Sequence, residues 1–167
     1  MSPLPTNVAA PRTASARWLA RLVALAAALV LSVTIAPAPA AQAIGASTLE
    51  QEVRTQANRE RSKRDLARVE HSACLDRFAE AQARAMAKKR SMFHQPLKPV
   101  LDGCKLSLVG ENVAYGFSSG TSVTKAWMNS PGHRANLLNP KFRSIGVGAY
   151  KDSKGTWYIA QVLGRSR

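Results

Sequence analysis

Ala126-Trp127-Met128-Asn129-Ser130-Pro131-Gly132-His133-Arg134-Ala135-Asn136-Leu137-Leu138 reads as the end of one helix, a sharp break and the start of another. Trp127 and Met128 close an apolar run. Ser130-Pro131 is a helix-start signal: the hydroxyl can cap orphan amides, and a proline at the first helical position has no amide to leave unpaired. His133 then falls in the first turn. The positive end of the helix dipole disfavours imidazolium there, so a neutral ring is expected near neutral pH. Such a ring can ligate a metal, exchange hydrogen bonds or act as a base.

Downstream of this stretch lies the clearest strand signal. Ile145, Val147 and Ala149 alternate with Gly146, Gly148 and Tyr150, and Trp157, Ile159, Gln161 and Leu163 alternate with Tyr158, Ala160 and Val162. Lys151 to Gly155 form a polar turn, so the two runs predict an antiparallel hairpin. Glycines at 146 and 148 share one face and leave room for a helix or a ligand to approach closely. Asn139-Pro140 stops the helix that carries His133, with Leu137 and Leu138 expected to be buried.

Upstream, Leu49, Val53 and Ala57 form a thin helical stripe, and Ser47 with Glu50 resembles a capping box. This helix is expected from Ala46 to somewhere between Ser62 and Asp65. Ser72 caps a second helix whose inner side carries Leu75, Phe78, Ala79, Gln82, Ala85 and Met86. It ends in Lys88-Lys89-Arg90, cations suited to a helix C-terminus. His71, just before it, reads as a surface or boundary residue. Phe93 and Pro96 pin a loop that carries His94. Residues 96–109 read as a long connection, and Gly110 to Gly116 as a short strand with Glu111 at its entry. Ser118 to Thr121 offer caps for a third helix through Val123, Ala126 and Trp127.

The 167 residues suffice for one domain. Residues 1–43 do not look like part of it. Arg12, Arg17 and Arg21 precede an almost wholly apolar run from Leu22 to Ile35, and Ala41-Gln42-Ala43 fits a small-x-small cleavage site. This is the layout of a secretory signal peptide over 1–43, with a second possible site at Ala38-Pro39-Ala40. An uncleaved anchor is the alternative, although the run falls short of the ~20 residues a spanning helix needs. The remaining chain, 44–167, is expected to be secreted and to have no membrane span once the leader is removed.

Net charge is +14, and all 10 acidic residues lie beyond the leader. A basic secreted domain can adhere to wall glycans, lipid headgroups or nucleic acid. The clusters Arg59 to Arg64 and Lys88 to Arg90 read as solvated helix faces or ends. They lack the aromatic interleaving of a nucleic-acid platform, so nucleic acid is set aside as a partner. In an oxidising compartment Cys74 and Cys104 most simply form one disulfide, with two buried free thiols as the alternative.

The joint order of Ala85-Met86-Ala87, Phe93-x-His94, Gly110-Glu111-Asn112, Trp127-Met128-x-Ser-Pro-Gly-His-Arg-x-Asn-Leu-Leu, Ile145-Gly-Val-Gly and Tyr158-x-x-Gln161 resembles the CAP superfamily. That superfamily groups the cysteine-rich secretory, antigen 5 and pathogenesis-related 1 proteins, and the resemblance is specifically to the short bacterial SCP-type domain. It covers residues from about 65 to 164, and the first helix fits it too. It implies an α+β fold: an α-β-α sandwich with a central antiparallel sheet between helical layers. It also implies a cleft lined by two histidines and two glutamates and associated with divalent metal. By position His94 and His133 match the histidines and Glu111 the first glutamate. Where the second acid belongs, this chain has Asn129 and Ser130. His94, Glu111 and His133 are therefore the candidate metal ligands, with zinc the candidate cofactor. Two imidazoles and one carboxylate are a ligand set used by some catalytic zinc sites.

Three functions compete. A binding protein for a lipid, a cell-wall polymer or a protein partner is favoured over an enzyme. A metal-dependent hydrolase using His94, Glu111 and His133 is the second, although no activated nucleophile is evident and Ser130 is better spent as a cap. A basic adhesive wall protein with a vestigial cleft is the third.

Overall fold

A computed structural model describes residues 45–167. The expected leader and its cleavage site lie outside the described residues. Among the described residues five helices flank a four-stranded sheet. Helix α1 spans Ala46–Ser62, β1 Glu70–His71, α2 Ala73–Lys89, α3 Leu97–Gly103 and β2 Leu106–Tyr115. They are followed by α4 Gly120–Asn129, α5 Pro131–Leu137, β3 Ser144–Lys151 and β4 Trp157–Ser166. The strand order is β1-β3-β4-β2. β3 and β2 both run antiparallel to β4, while the two-residue β1 pairs parallel with β3. The sheet is therefore antiparallel as expected, apart from this short parallel addition.

The period-two alternation of β4 divides the core into two layers. Ile159 and Leu163 meet Leu49, Val53 and Ala57 of α1, Val123 and Trp127 of α4, and Leu137 of α5. Ala160 and Val162 meet Leu75, Ala79 and Met86 of α2 and Val100 of α3. One sheet thus carries α1, α4 and α5 on one face and α2 and α3 on the other, which is the α-β-α sandwich.

Gly146 and Gly148 explain how closely α2 sits. A methyl group at Gly146 would fall inside the α2 backbone at Leu75 and Asp76, and one at Gly148 inside it at Ala79 and Glu80. The helix lies directly on the strand, so these glycines serve a helix and not a ligand. Across the sheet, a methyl at Gly120 would come within 2.5 Å of the Glu52 backbone, so α4 crosses α1 equally closely.

Because β1 is so short, most of the outer edge of β3 lacks a strand partner. Carboxylates from both layers cover it: Val147 N donates to Asp76 Oδ1 at 2.8 Å and Ala149 N to Glu50 Oε1 at 3.0 Å. An uncovered edge would be a template for pairing with another chain. Glu50 therefore faces the sheet and forms no capping box. Gly45 is the N-cap of α1, without a side-chain bond.

Three further expectations change. Residues 96–109 are not one long loop. They hold α3 and the first residues of β2, because Pro96 and Pro99 occupy the N-cap and first turn, where a helix tolerates proline. Ser130 is the N-cap of α5 but makes no side-chain cap bond, whereas Ser72 caps α2 and Ser119 caps α4. Arg61, inside a cluster read as solvated, is completely buried. Cys74 and Cys104 are bonded, with Cα atoms 5.8 Å apart, which ties α2 to the end of α3. Among the described residues no helix is long and apolar enough to cross a membrane.

Gly148→Ala is expected to lower stability by about 3 kcal/mol or more, since α2 backbone and not a flexible side chain must move. Gly132→Ala, whose methyl meets nothing within 4 Å, should stabilise by about 0.5–1 kcal/mol. Urea unfolding of the two variants checks the contrast. A second expectation concerns Glu50. Burial, with lesser help from the Glu80 and Asp76 charges, raises its carboxyl above the ordinary 4.5, against the Ala149 bond and Arg54. Between 4.5 and the raised value the folded chain holds a proton that the unfolded chain releases, so stability falls as pH rises through that window. Glu50→Gln can still accept from Ala149 N. It should melt above the wild type at neutral pH, and the gain should vanish below about pH 4.

Candidate functional site

The site wraps the outer edge of β2. Neighbouring strand residues point to opposite faces, and here two consecutive ones each hold one of the histidines. Glu111 pairs across the sheet with Val162, on the α2 and α3 side, and reaches the loop before α3. Its Oε2 lies 2.7 Å from His94 Nδ1 and accepts from Gln95 N at 3.3 Å, while its Oε1 accepts from Gln95 Nε2 at 2.7 Å. Only 1% of its side chain is exposed, against 59% for His94. Gln82 of α2 holds the same loop by donating to the Phe93 carbonyl.

Asn112 pairs with Gln161 and faces α5. Its Nδ2 donates to the His133 carbonyl at 3.1 Å and to Gln161 Oε1 at 3.0 Å. Asn136 Nδ2, on α5, donates back to the Glu111 carbonyl at 2.9 Å and to Asn112 Oδ1 at 3.1 Å. The approach is close: a methyl at Gly110 would come within 3.0 Å of both the Phe142 ring and Asn136 Oδ1. This accounts for the glycine before Glu111. Gln161 is fully buried, with its Nε2 lacking a partner.

These contacts leave an open cleft of about 450 Å³, lined by His94, Gln95, Val109, Ser130, His133 and Asn136 among others. Burial, and secondarily the charge of His94, lowers the His133 pKa below the ordinary 6.5. The neutral imidazole expected from its place in the helix therefore holds, with desolvation as the main cause. Ser130, free of capping duty, borders the cleft. His71 lies elsewhere, exposed on β1 and paired with Asp76.

His94, Glu111 and His133 thus border one cleft, but they do not form a ligand trio. Among the described residues no three His, Cys, Asp or Glu side chains are placed to hold a metal ion. The donor chemistry agrees. Glu111 is sealed from solvent with both oxygens engaged. What faces outward is a pair of imidazoles, short of the three protein ligands of a catalytic zinc site. Glu111 acts instead as an orienting carboxylate: it holds His94 through Nδ1 and leaves Nε2 as the free ring nitrogen. Sequence reading assigned no role to Gln95, Asn112, Asn136 or Gln161. Asn112, Asn136 and Gln161 carried a usable signal, since each falls within a motif of the family resemblance, and Gln161 is also an amide at an inward position of an apolar strand.

Similarity to known proteins agrees with this fold. The model of the cysteine-rich secretory protein family, CAP, matches residues 55–162. The chain belongs to this family. The protein YkwD of Bacillus subtilis (strain 168) is 36% identical over 126 residues, covering 71% of this chain and 48% of that protein. The chain therefore spans about half the length of that relative. An extracellular SCP-domain protein from Bacillus anthracis str. Ames is 28% identical with a TM-score of 0.65, over 72% of this chain and 41% of that one. An outer surface protein from Borrelia burgdorferi gives a TM-score of 0.65 over 70% of this chain and 92% of that one. At 22% identity it is alike in fold alone.

Removing the neighbouring charge should let His133 take its proton more easily. In His94→Ala the His133 ring is expected to titrate higher than in the wild type, yet still below 6.5 because its burial persists. NMR titration of the ring protons checks this, and an unchanged His133 curve would break the coupling. The depressed pKa also means that stability contributed here rises with pH up to 6.5 and is lost as pH falls through the folded value.

Proposed function

We propose that this chain is an exported CAP-domain binding protein whose His94–His133 cleft grips a polar, hydroxyl- and carboxylate-bearing polymer of the cell surface. The observation that carries the reading is the state of Glu111. A carboxylate with 1% of its side chain exposed and both oxygens engaged is a scaffold for His94 and Gln95, and it is not free to take a proton from substrate. The hydrogen-bonding groups of the lining are two imidazoles, the Gln95 and Asn136 amides and the Ser130 hydroxyl, set beside Leu97 and Val109. Such a lining suits a glycan or a carboxylated peptide better than a lipid tail, which needs a mostly apolar channel. Export is supported by the leader expected over residues 1–43, by the Cys74–Cys104 bond and by a 28% identical protein described as extracellular.

The metal-dependent hydrolase reading requires Glu111 to leave His94 and Gln95 before it could act, and the basic adhesive reading makes the cleft irrelevant. Sedimentation of the leader-free protein with isolated cell walls separates all three. His94→Ala/His133→Ala, with an unchanged melting curve, should weaken retention about tenfold through loss of two hydrogen-bonding anchors. Equal retention of wild type and variant, both released by salt, would establish the adhesive reading instead. Saturable Zn²⁺ uptake by calorimetry that disappears in the variant would restore the metal reading.

A further inference from the structure

A second concavity, of about 490 Å³, lies between α1 and α4 on the far side of the first turn of α5. Five cations line it: Arg59 from α1, Lys63 and Arg64 from the turn that follows α1, Lys125 from α4 and Arg134 from α5. One carboxylate, Glu60, shares the lining, and it is taken up by Lys63 at 2.6 Å and Arg64 at 2.8 Å. Among the described residues Arg59, Lys125 and Arg134 have no carboxylate partner. Arg134 is steadied by its contact with the Met128 carbonyl at 3.5 Å. Cations converging from three separate helices repel one another, and an anion between them relieves that repulsion.

The rest of the lining narrows the anion. Gln56, Asn129 and Thr121 add neutral amide and hydroxyl groups that pair with hydroxyls. Thr124 closes the floor; it is 2% exposed, and its hydroxyl is buried without a hydrogen-bond partner. Met128 is the one large apolar side chain in the lining, and no aromatic ring is present. A fatty acyl chain would find little to bury, and a nucleobase nothing to stack on. Guanidinium groups match phosphate oxygens in pairs, whereas lysines contribute point charge.

We propose that the α1–α4 groove is a binding site for a phosphate ester of a polyol, carried either free or as a lipid headgroup. The site is separate from the His94–His133 cleft and does not depend on the function proposed for that cleft. The test uses glycerol 3-phosphate in calorimetry and phosphatidylcholine vesicles containing phosphatidylglycerol in cosedimentation. Arg59→Gln/Lys125→Gln removes two exposed groove cations. Lys88→Gln/Lys154→Gln removes the same charge from exposed positions outside the groove. Binding is expected to weaken about tenfold in the groove variant and to stay within about twofold of the wild type in the control. Saturation by free glycerol 3-phosphate identifies a soluble ester as sufficient; groove-dependent binding to vesicles alone identifies the headgroup. Equal weakening in both charge variants would reduce the effect to net charge and overturn the proposal, as would no saturable binding to either probe. His133→Ala should leave both measurements unchanged, and a loss matching that of the groove variant would also overturn it.

Discussion

A guanidinium with no solvent and no carboxylate partner holds one end of this fold together. Arg61, in the last turn of α1, donates to the carbonyls of Ala67 at 2.8 Å, Leu137 at 3.0 Å, Asn139 at 2.9 Å and Phe142 at 3.3 Å. Burial, and the nearby charge of Arg143, lowers its pKa. The charge is solvated instead by carbonyl dipoles, one of them at the C-terminal end of α5, where a helix leaves orphan acceptors and favours a cation. Lysine, with three donors on one nitrogen, could not serve acceptors on so many sides. The end of α1, the end of α5 and the segment leading into β3 are thereby joined at one point.

That anchor matters to the cleft because α5 has only seven residues and carries His133. A helix this short does not hold itself in water. Arg61 fixes its C-terminal end, and Asn112 fixes its N-terminal part through the His133 carbonyl. The same contacts finish the sheet. On the outer edge of β2 the carbonyls of Glu111 and Val113 accept from Asn136 and from the Trp127 indole. On the opposite edge the amides of Val147 and Ala149 are taken by Asp76 and Glu50. Side chains from the helical layers thus cover both edges, so the groups that position the cleft also protect the sheet from pairing with another chain.

The parts of this arrangement legible in sequence were those governed by local rules. Stripes such as Leu49, Val53 and Ala57, the alternation through β3 and β4, and the paired glycines at 146 and 148 each announce an element or a close approach within a few residues. Parts that depend on distant partners were hidden. Arg61 lies in a basic run that would be solvated but for the carbonyls of α5 and the following segment. β1 has two residues and owes its existence to β3. Two prolines masked α3, although both stand where a helix accepts them. For the site, resemblance placed His94, Glu111 and His133 around one cleft. The role of Glu111 was not legible, because it depends on Gln95, sixteen residues away, which carries no motif.

Charge links the two concavities. The family pattern leads one to expect a second acid where this chain has Asn129 and Ser130. Asn129 lines the basic groove, and Ser130 lines the cleft. The cleft therefore has Glu111 as its one lining carboxylate among the described residues, and that group is sealed behind His94. A ligand arriving there meets imidazoles, amides and a hydroxyl, on a chain of net charge +14. Lowering the pKa of His133 keeps that ring uncharged, so it can accept as well as donate, while the cations stand on the other side of α5. A field of this sign repels free divalent cations and draws anionic ligands toward both surfaces.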